Sequence, residues 1–364
     1  MRILFVSGVD VGGAPASTVE LARRLNQRGH AVGVLLGAEQ MTSRGYQKLL
    51  NVSIKLYAVT GWSWPRELLR RFGTGGEAPT TEGGVLLWRR SNAANSLRPV
   101  VTAFSPDLIV ANSHSREHLR WMLKDAQEAG VPVALYMREA HSVTHLLISQ
   151  LDLDLVFANS QRLAQEAEAA GYPCVYAPSI VDVQAAEVDS SRESIVLINP
   201  VPENRPEIMR ELAAHRPDLR VVLQESWPLE EGWRSELKSW TTELPNLTLR
   251  PRQKDPREIY RDAKLIVATY PSGRPRVVLE AQHNAIPVAA LAQPALIEAV
   301  GDGGVLIPPD ADDASWVRAI TTACDDPDRY GALCRRALQH SKREEVDPDV
   351  ITRVFEQALM AVTR

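Results

Sequence analysis

The stretch 264–310 reads KLIVATYPSGRPRVVLEAQHNAIPVAALAQPALIEAVGDGGVLIPPD, and its alternation decides the fold. The apolar run 265–268 stops at Tyr270-Pro271-Ser272, where a loop of glycine, proline and arginine begins. A helix carrying Glu280 near its start follows, and the apolar run 287–291 comes next. This is a strand, loop, helix, strand unit with a basic loop at the helix N-terminus. Such a terminus carries unpaired N–H groups and partial positive charge, so its natural occupant is an anion, most simply a phosphate or diphosphate. A carboxylate just inside the helix competes with that anion unless it has a partner of its own, and a ribose diol donates two hydrogen bonds to a single carboxylate. The pattern therefore points to a nucleotide.

Working outward, the same alternation recurs on both sides. The opening run 1–7 reads as a buried strand, the segment GVDVGGAPAST follows it, and Leu21, Ala22 and Leu25 then share one helical stripe. Gly29 suits a helix C-cap before the apolar run 31–36, which completes a βαβ unit. Further strands are expected at 108–111, 131–136 and 155–158, closing one doubly wound domain over 1–182. A second start follows the polar stretch 189–193, with strands at 194–199, 219–224 and 247–249 and a helix at 206–214. The second domain is expected over 183–346, with 347–364 as a final helix.

A chain of 364 residues suits two domains, and 45% hydrophobic with 24% charged residues is the composition of a globular protein. A net charge of −4 argues against general nucleic-acid binding, which needs a positive surplus. No apolar run of membrane-spanning length and no basic leader with a cleavage site is present, so a cytoplasmic protein is expected. Cys174, Cys324 and Cys334 form no CxxC, so neither a disulfide framework nor a zinc site is indicated.

The strings PS..RVVLEAQ.N.IPV and IEAVGDGGVLIPP resemble the donor-site signature of family-four retaining glycosyltransferases (glycosyl transferases group 1) of the GT-B fold. Those enzymes usually show a Pro-Ser, a loop Glu, and a second Glu eight positions later in a Glu-Ala pair. Glu280 stands at the second place, and the resemblance implies that it holds the ribose of a sugar nucleotide. Eight positions before it stands Ser272, where the family has a carboxylate that grips hydroxyls of the donor sugar. Ser272 points to a donor lacking a hydroxyl or presenting it differently, as a deoxysugar or pentose would. The resemblance is strongest at 264–310 and moderate at 1–36, 131–182 and 194–224. It implies two Rossmann-like doubly wound domains facing a cleft, with the last helix crossing back onto the first. It also implies retaining sugar transfer, without metal or cofactor, from a nucleotide diphosphate sugar to a hydroxyl of a small glycoside, glycan or lipid-linked sugar.

Several residues carry this chemistry. Gly12 and Gly13 lie between the first strand and helix with spacing unlike GxGxxG, which disfavours a nicotinamide cofactor. In the family this loop faces the sugar and diphosphate; a tight strand-to-helix turn is the plain alternative. Asn199 and Arg205 bracket the loop after the first strand of the second domain, where the family carries an Arg or Asn and a Lys for the donor diphosphate. Here the usual Lys-Gly pair reads Asn204-Arg205. Arg205 offers a permanent bidentate charge, and Arg252, Arg274 and Arg276 are the other cations available to the phosphate.

In the first domain, Arg138, Glu139 and His141 follow the strand expected at 131–136, and His114 follows another strand; charged groups at carboxyl ends of strands are functional candidates, Arg138 and His141 as catalytic residues beside Arg205, Glu139 and His114 on the acceptor side. The resemblance places a sugar-holding His at one of these strand ends, where Arg138 stands. A plain structural role is the alternative for either histidine. His141 and His145 have helical metal-ligand spacing without the HExxH carboxylate, so zinc is not indicated. The region 62–90 combines Trp62, Trp64 and Trp88 with Arg66, Arg70, Arg71, Arg89 and Arg90 around the loop FGTGGEAPTTEGG. It reads as an acceptor-side surface, with weak membrane association or simple packing as rivals. Two other classes share these features: a sugar-nucleotide epimerase or hydrolase, and a noncatalytic sugar-nucleotide binding protein.

Overall fold

The structure is a computed structural model that describes residues 1–10, 12–37, 78–112, 116–138, 153–270 and 273–363, together with 48–49, 52–53, 56, 59–60, 62 and 64. The chain divides into two compact units, Met1–Ile180 with Pro348–Arg364, and Val181–Asp347. Among the described residues, no helix is long and apolar enough to cross a membrane.

The first unit opens with β1 (Arg2–Ser7), α1 (Gly13–Gln27) and β2 (Ala31–Gly37). A hairpin of β3 (Thr80–Glu82) and β4 (Val85–Arg90) comes next, then α2 (Ala93–Phe104), β5 (Leu108–Asn112) and α3 (Arg116–Glu128). It ends with β6 (Val133–Met137), β7 (Leu155–Ala158), α4 (Gln161–Ala169) and β8 (Cys174–Tyr176). The sheet order is β3-β4-β2-β1-β5-β6-β7-β8, parallel throughout except for the β3/β4 pair. Continuous apolar strands are what a sheet covered on both faces requires. Alternate residues of β1 divide accordingly: Leu4 and Val6 enter one core, Ile3 and Phe5 the other. The final helix α12 (Pro348–Val362) belongs to this unit, where Phe355 stacks on Phe157 at 4.1 Å and meets the edge of Tyr136 at 5.0 Å.

The hairpin corrects part of the reading of 62–90. Residues 80–82 are a strand rather than loop, paired with a strand over 85–90, and Trp88 is a core residue, edge-on to Phe104 at 5.7 Å. Gly33 makes room for it, since a Cβ there would lie 2.7 Å from the Trp88 ring. Trp88 therefore takes no part in an acceptor or membrane surface. Trp62 and Trp64 are exposed, whereas 65–77 lie outside the described residues.

The second unit runs β9 (Ser194–Ile198), α5 (Glu207–His215), β10 (Arg220–Gln224), α6 (Glu231–Glu243), β11 (Leu247–Arg250), α7 (Arg257–Tyr260) and β12 (Ala263–Ala268). It continues with α8 (Arg276–His283), β13 (Val288–Leu291), α9 (Pro294–Val300), β14 (Gly304–Ile307), α10 (Asp313–Asp325) and α11 (Pro327–His340). Its sheet is wholly parallel in the order β11-β10-β9-β12-β13-β14. From β9 the chain winds outward to β11 and then returns to β12 on the other side of β9. That reversal splays the loops after β9 and β12 apart, and ligands of open parallel sheets bind at such a point, beyond the carboxyl ends of the strands. In the first unit, β1 and β5 flank the equivalent reversal, with Gly12 and Gly13 in the loop after β1.

Candidate functional site

At the switch point of the second unit, three loops are tied into one frame. Asn199, just past β9, adopts a left-handed conformation (φ 58°), which asparagine tolerates better than most residues. Its Oδ1 accepts from the backbone N–H of Ser226 at 3.2 Å and of Trp227 at 2.9 Å, which fixes the loop after β10. Its carbonyl accepts from Nδ2 of Asn204 at 2.8 Å. The Asn204 carbonyl in turn accepts from the Thr269 hydroxyl beyond β12, and Tyr270 donates to the Ile198 carbonyl at 3.1 Å. These bonds satisfy buried backbone groups that would otherwise be costly to leave unpaired.

The α8 terminus carries the charged part of the site. Glu280 is 7% exposed; its Oε1 accepts from Nη2 of Arg276 at 3.0 Å, and its Oε2 from the Tyr260 hydroxyl at 2.6 Å. Burial, reinforced by the negative charge of Glu280, pushes the Tyr260 phenol well above the usual tyrosine range, and Tyr270 is raised for the same two reasons. Both phenols therefore remain donors at any working pH. Arg276 is the first residue of α8, and its Nε is buried without a hydrogen-bond partner among the described residues. Gln293 holds the preceding turn by donating to the carbonyl of Gly273 at 3.0 Å.

The other arginines expected here divide. Arg274 is nearly buried between two acids, with Glu298 at 2.8 Å and Glu345 at 3.3 Å. Arg205 donates to Oδ1 of Asp313 at 2.6 Å and to the Ala311 carbonyl at 3.2 Å, with its guanidinium 5.9 Å from the Trp316 ring. Its side chain thus lies against the start of α10 rather than among the loops that Asn199 and Asn204 join. Arg252, exposed after β11, makes no ion pair among the described residues. Ser272 lies outside the described residues.

In the first unit, Gly12 has φ 109°, a conformation that L side chains rarely adopt, and α1 starts at Gly13 with no side-chain cap and no acid in its first turn. An N-terminus in that state suits an anion. Arg138, just past β6, is buried with its guanidinium 4.2 Å from the Tyr136 ring centroid; Nη2 donates to the Thr18 hydroxyl on α1 at 3.0 Å and Nη1 to Ser179 at 3.4 Å. Gly12, Gly13 and Arg138 are thereby brought to one region of this unit. His114, Glu139 and His141 lie outside the described residues.

The expected residues do not complete the site. Tyr260, Asn204, Thr269 and Asp313 shape it as much as the arginines do; the sequence pattern marks none of Tyr260, Thr269 and Asp313, and marks Asn204 only as standing where the family has Lys. Each is an ordinary polar residue whose role depends on a partner 5 to 108 residues away, and only that of Asn204 is local.

Residues 207–326 match the model of the family described as Glycosyl transferases group 1. No curated protein matches the chain in sequence. Among solved structures, Anabaena Alr3699/HepE in complex with UDP-glucose is 18% identical, with a TM-score of 0.73 over 99% of this chain and 100% of that one. Sucrose-phosphate synthase (tll1590) from Thermosynechococcus elongatus is 15% identical, with a TM-score of 0.72 over 99% and 100% of the two chains. A glycosyltransferase from Rickettsia africae ESF-5 is 12% identical, with a TM-score of 0.71 over 99% and 98%. The two parallel-sheet units thus follow the GT-B plan.

Proposed function

We propose that this GT-B chain, with its group 1 match over 207–326, is a glycosyltransferase that takes a sugar from a nucleoside diphosphate donor and attaches it to an acceptor hydroxyl. The observation that carries the reading is the Glu280–Arg276 pair at the N-terminus of α8, beside the switch point of a parallel sheet. A carboxylate with its own cation does not repel a neighbouring diphosphate, so ribose and phosphate can be held side by side. Transfer breaks the bond between the anomeric carbon and the phosphate oxygen, the acceptor oxygen takes its place, and the hydroxyl proton is released. The developing charge on the leaving diphosphate requires fixed donors. Arg276, Arg252 and the backbone N–H groups that open α8 supply them, and we read the transfer as metal-independent on that ground, with retention of configuration as in the enzymes it resembles. Within the first unit, Gly12 and Gly13 leave the backbone open to close approach by a ligand, and Arg138 is its candidate for a sugar contact.

Melting curves with UDP, GDP, ADP, CDP and dTDP test the reading, because a ligand of the native state raises the melting temperature by mass action. One nucleotide is expected to give a selective shift that Glu280→Gln abolishes. Its sugar conjugate should then release diphosphate faster when acceptor is added. A flat response to every nucleotide overturns the assignment.

A second reading, a sugar-nucleotide binding protein without turnover, is favoured by one set of facts: Arg205 and Arg274 are both committed to carboxylates, and Ser272 replaces the family's Glu. It predicts the same melting shift with no diphosphate release under any acceptor.

A further inference from the structure

We propose that Tyr260 is the positioning residue that orients the Glu280 carboxylate for a ribose diol. This inference rests on the reading of Glu280 as the ribose ligand and adds to it how that ligand is aimed. Tyr260 ends α7 and is fully buried among Val222, Ala263, Ile266, Val278 and Ala281. A phenylalanine would fill the same space. The hydroxyl is therefore explained not by packing but by its 2.6 Å bond to Oε2 of Glu280. An ionised carboxylate offers about four lone-pair sites on two oxygens. Tyr260 takes one on Oε2 and Arg276 one on Oε1, which fixes the plane of the group and leaves one site on each oxygen. Two parallel acceptor sites are what a vicinal diol needs, since its hydroxyls donate side by side. Rotation of the carboxylate would remove that match, and Arg276 alone, gripping one oxygen, does not prevent it.

The test compares binding of two probes to wild type, Tyr260→Phe and Glu280→Gln. The probes are the ribonucleoside diphosphate that gives the largest melting shift among UDP, GDP, ADP and CDP, and its 2′,3′-dideoxy counterpart. Wild type should prefer the ribonucleotide, by about tenfold or more for hydrogen bonds to a charged group. Tyr260→Phe should lose most of that preference while binding the dideoxy probe as wild type does, and should melt cooperatively. Tyr260→Met, which also lacks the donor, should reproduce the pattern and replaces the phenylalanine variant should that one fail to fold. Equal weakening of both probes in the Tyr260 variants makes Tyr260 a packing residue and overturns the proposal, as does an undiminished preference. If Glu280→Gln keeps the wild-type preference, or no nucleotide binds at all, the ribose reading fails and this inference with it. Loss of preference in Glu280→Gln alone leaves the ribose reading standing and removes only Tyr260.

Discussion

Arg205 and Asp313 are joined by a 2.6 Å bond across 108 residues of sequence, and that bond takes the guanidinium to the first turn of α10. The sequence places Arg205 on a leaving diphosphate, whereas the geometry makes it a tie between the loop after β9 and α10. Both side chains are about one-third exposed or more, so the pair contributes roughly 0.2–1 kcal/mol. Arg205→Ala should cost about that much stability and leave nucleotide affinity within about threefold. Because Arg205 sits at φ 50°, Arg205→Gly should be the more stable of the two variants. A tenfold or larger loss of affinity in calorimetry would mean that Arg205 leaves Asp313 to meet the ligand.

Arg276 is the cation whose removal should matter most. It opens α8, donates to Glu280 and keeps a buried Nε without a partner among the described residues, so part of its donor capacity is unused. Loss of one fixed donor to a developing oxyanion costs about 2.7–4 kcal/mol of barrier. Arg276→Ala should therefore slow diphosphate release by about a hundredfold or more. Its melting temperature should fall only modestly, since Tyr260 still holds one Glu280 oxygen. Equal damage to rate and stability would assign Arg276 to the fold instead.

The fold was legible where periodicity is strong. The runs expected as strands at 155–158, 194–199 and 265–268 correspond to Leu155–Ala158, Ser194–Ile198 and Ala263–Ala268, because a parallel sheet covered on both faces demands uninterrupted apolar sequence. The β3/β4 hairpin was not legible: Gly83 and Gly84 read as a mobile loop, and Trp88 beside two arginines read as surface. Its burial depends on Gly33, 55 positions upstream, having no side chain to obstruct the ring. The site was half legible for a similar reason. Glu280 and the basic loop announce themselves by type and position, but which arginine is neutralised depends on Asp313, Glu298 and Glu345, and no local pattern links those acids to their partners.

His340 sets a pH dependence of stability. Burial lowers its pKa, and the positive charge of Arg343 lowers it further, against smaller opposing effects from the Glu298 backbone, Asp302 and Glu345. A depressed folded-state pKa means that the unfolded chain binds the proton first as pH falls. Stability is then full above the ordinary histidine value of about 6.5 and declines as pH drops from there through the folded value. The melting temperature of wild type should fall more steeply between pH 7 and 5 than that of His340→Gln. Parallel curves would remove His340 from the acid response. The ring also lies where a Cβ on Gly301 would be, 2.3 Å from its Cε1, so Gly301→Ala should disturb the same contact at every pH.

Trp88 separates packing from surface chemistry in the region that the sequence presents as basic and aromatic. Its ring is 5% exposed, packs edge-on to Phe104 and crosses Gly33 on β2. Removing a buried tryptophan side chain costs about 3–5 kcal/mol, so Trp88→Ala should lower the urea midpoint markedly. Gly33→Ala drives a methyl against the same ring and should cost about 1–3 kcal/mol. Because the two substitutions act on one contact, their double mutant should lose less than the sum of the singles: once the ring is gone, the methyl at 33 meets no obstacle. Additive losses would show that the ring and the glycine contribute independently. The exposed Trp62 and Trp64 provide the contrast: their alanine variants should leave the midpoint nearly unchanged, so any effect they have on binding to anionic vesicles or on acceptor use belongs to the surface alone.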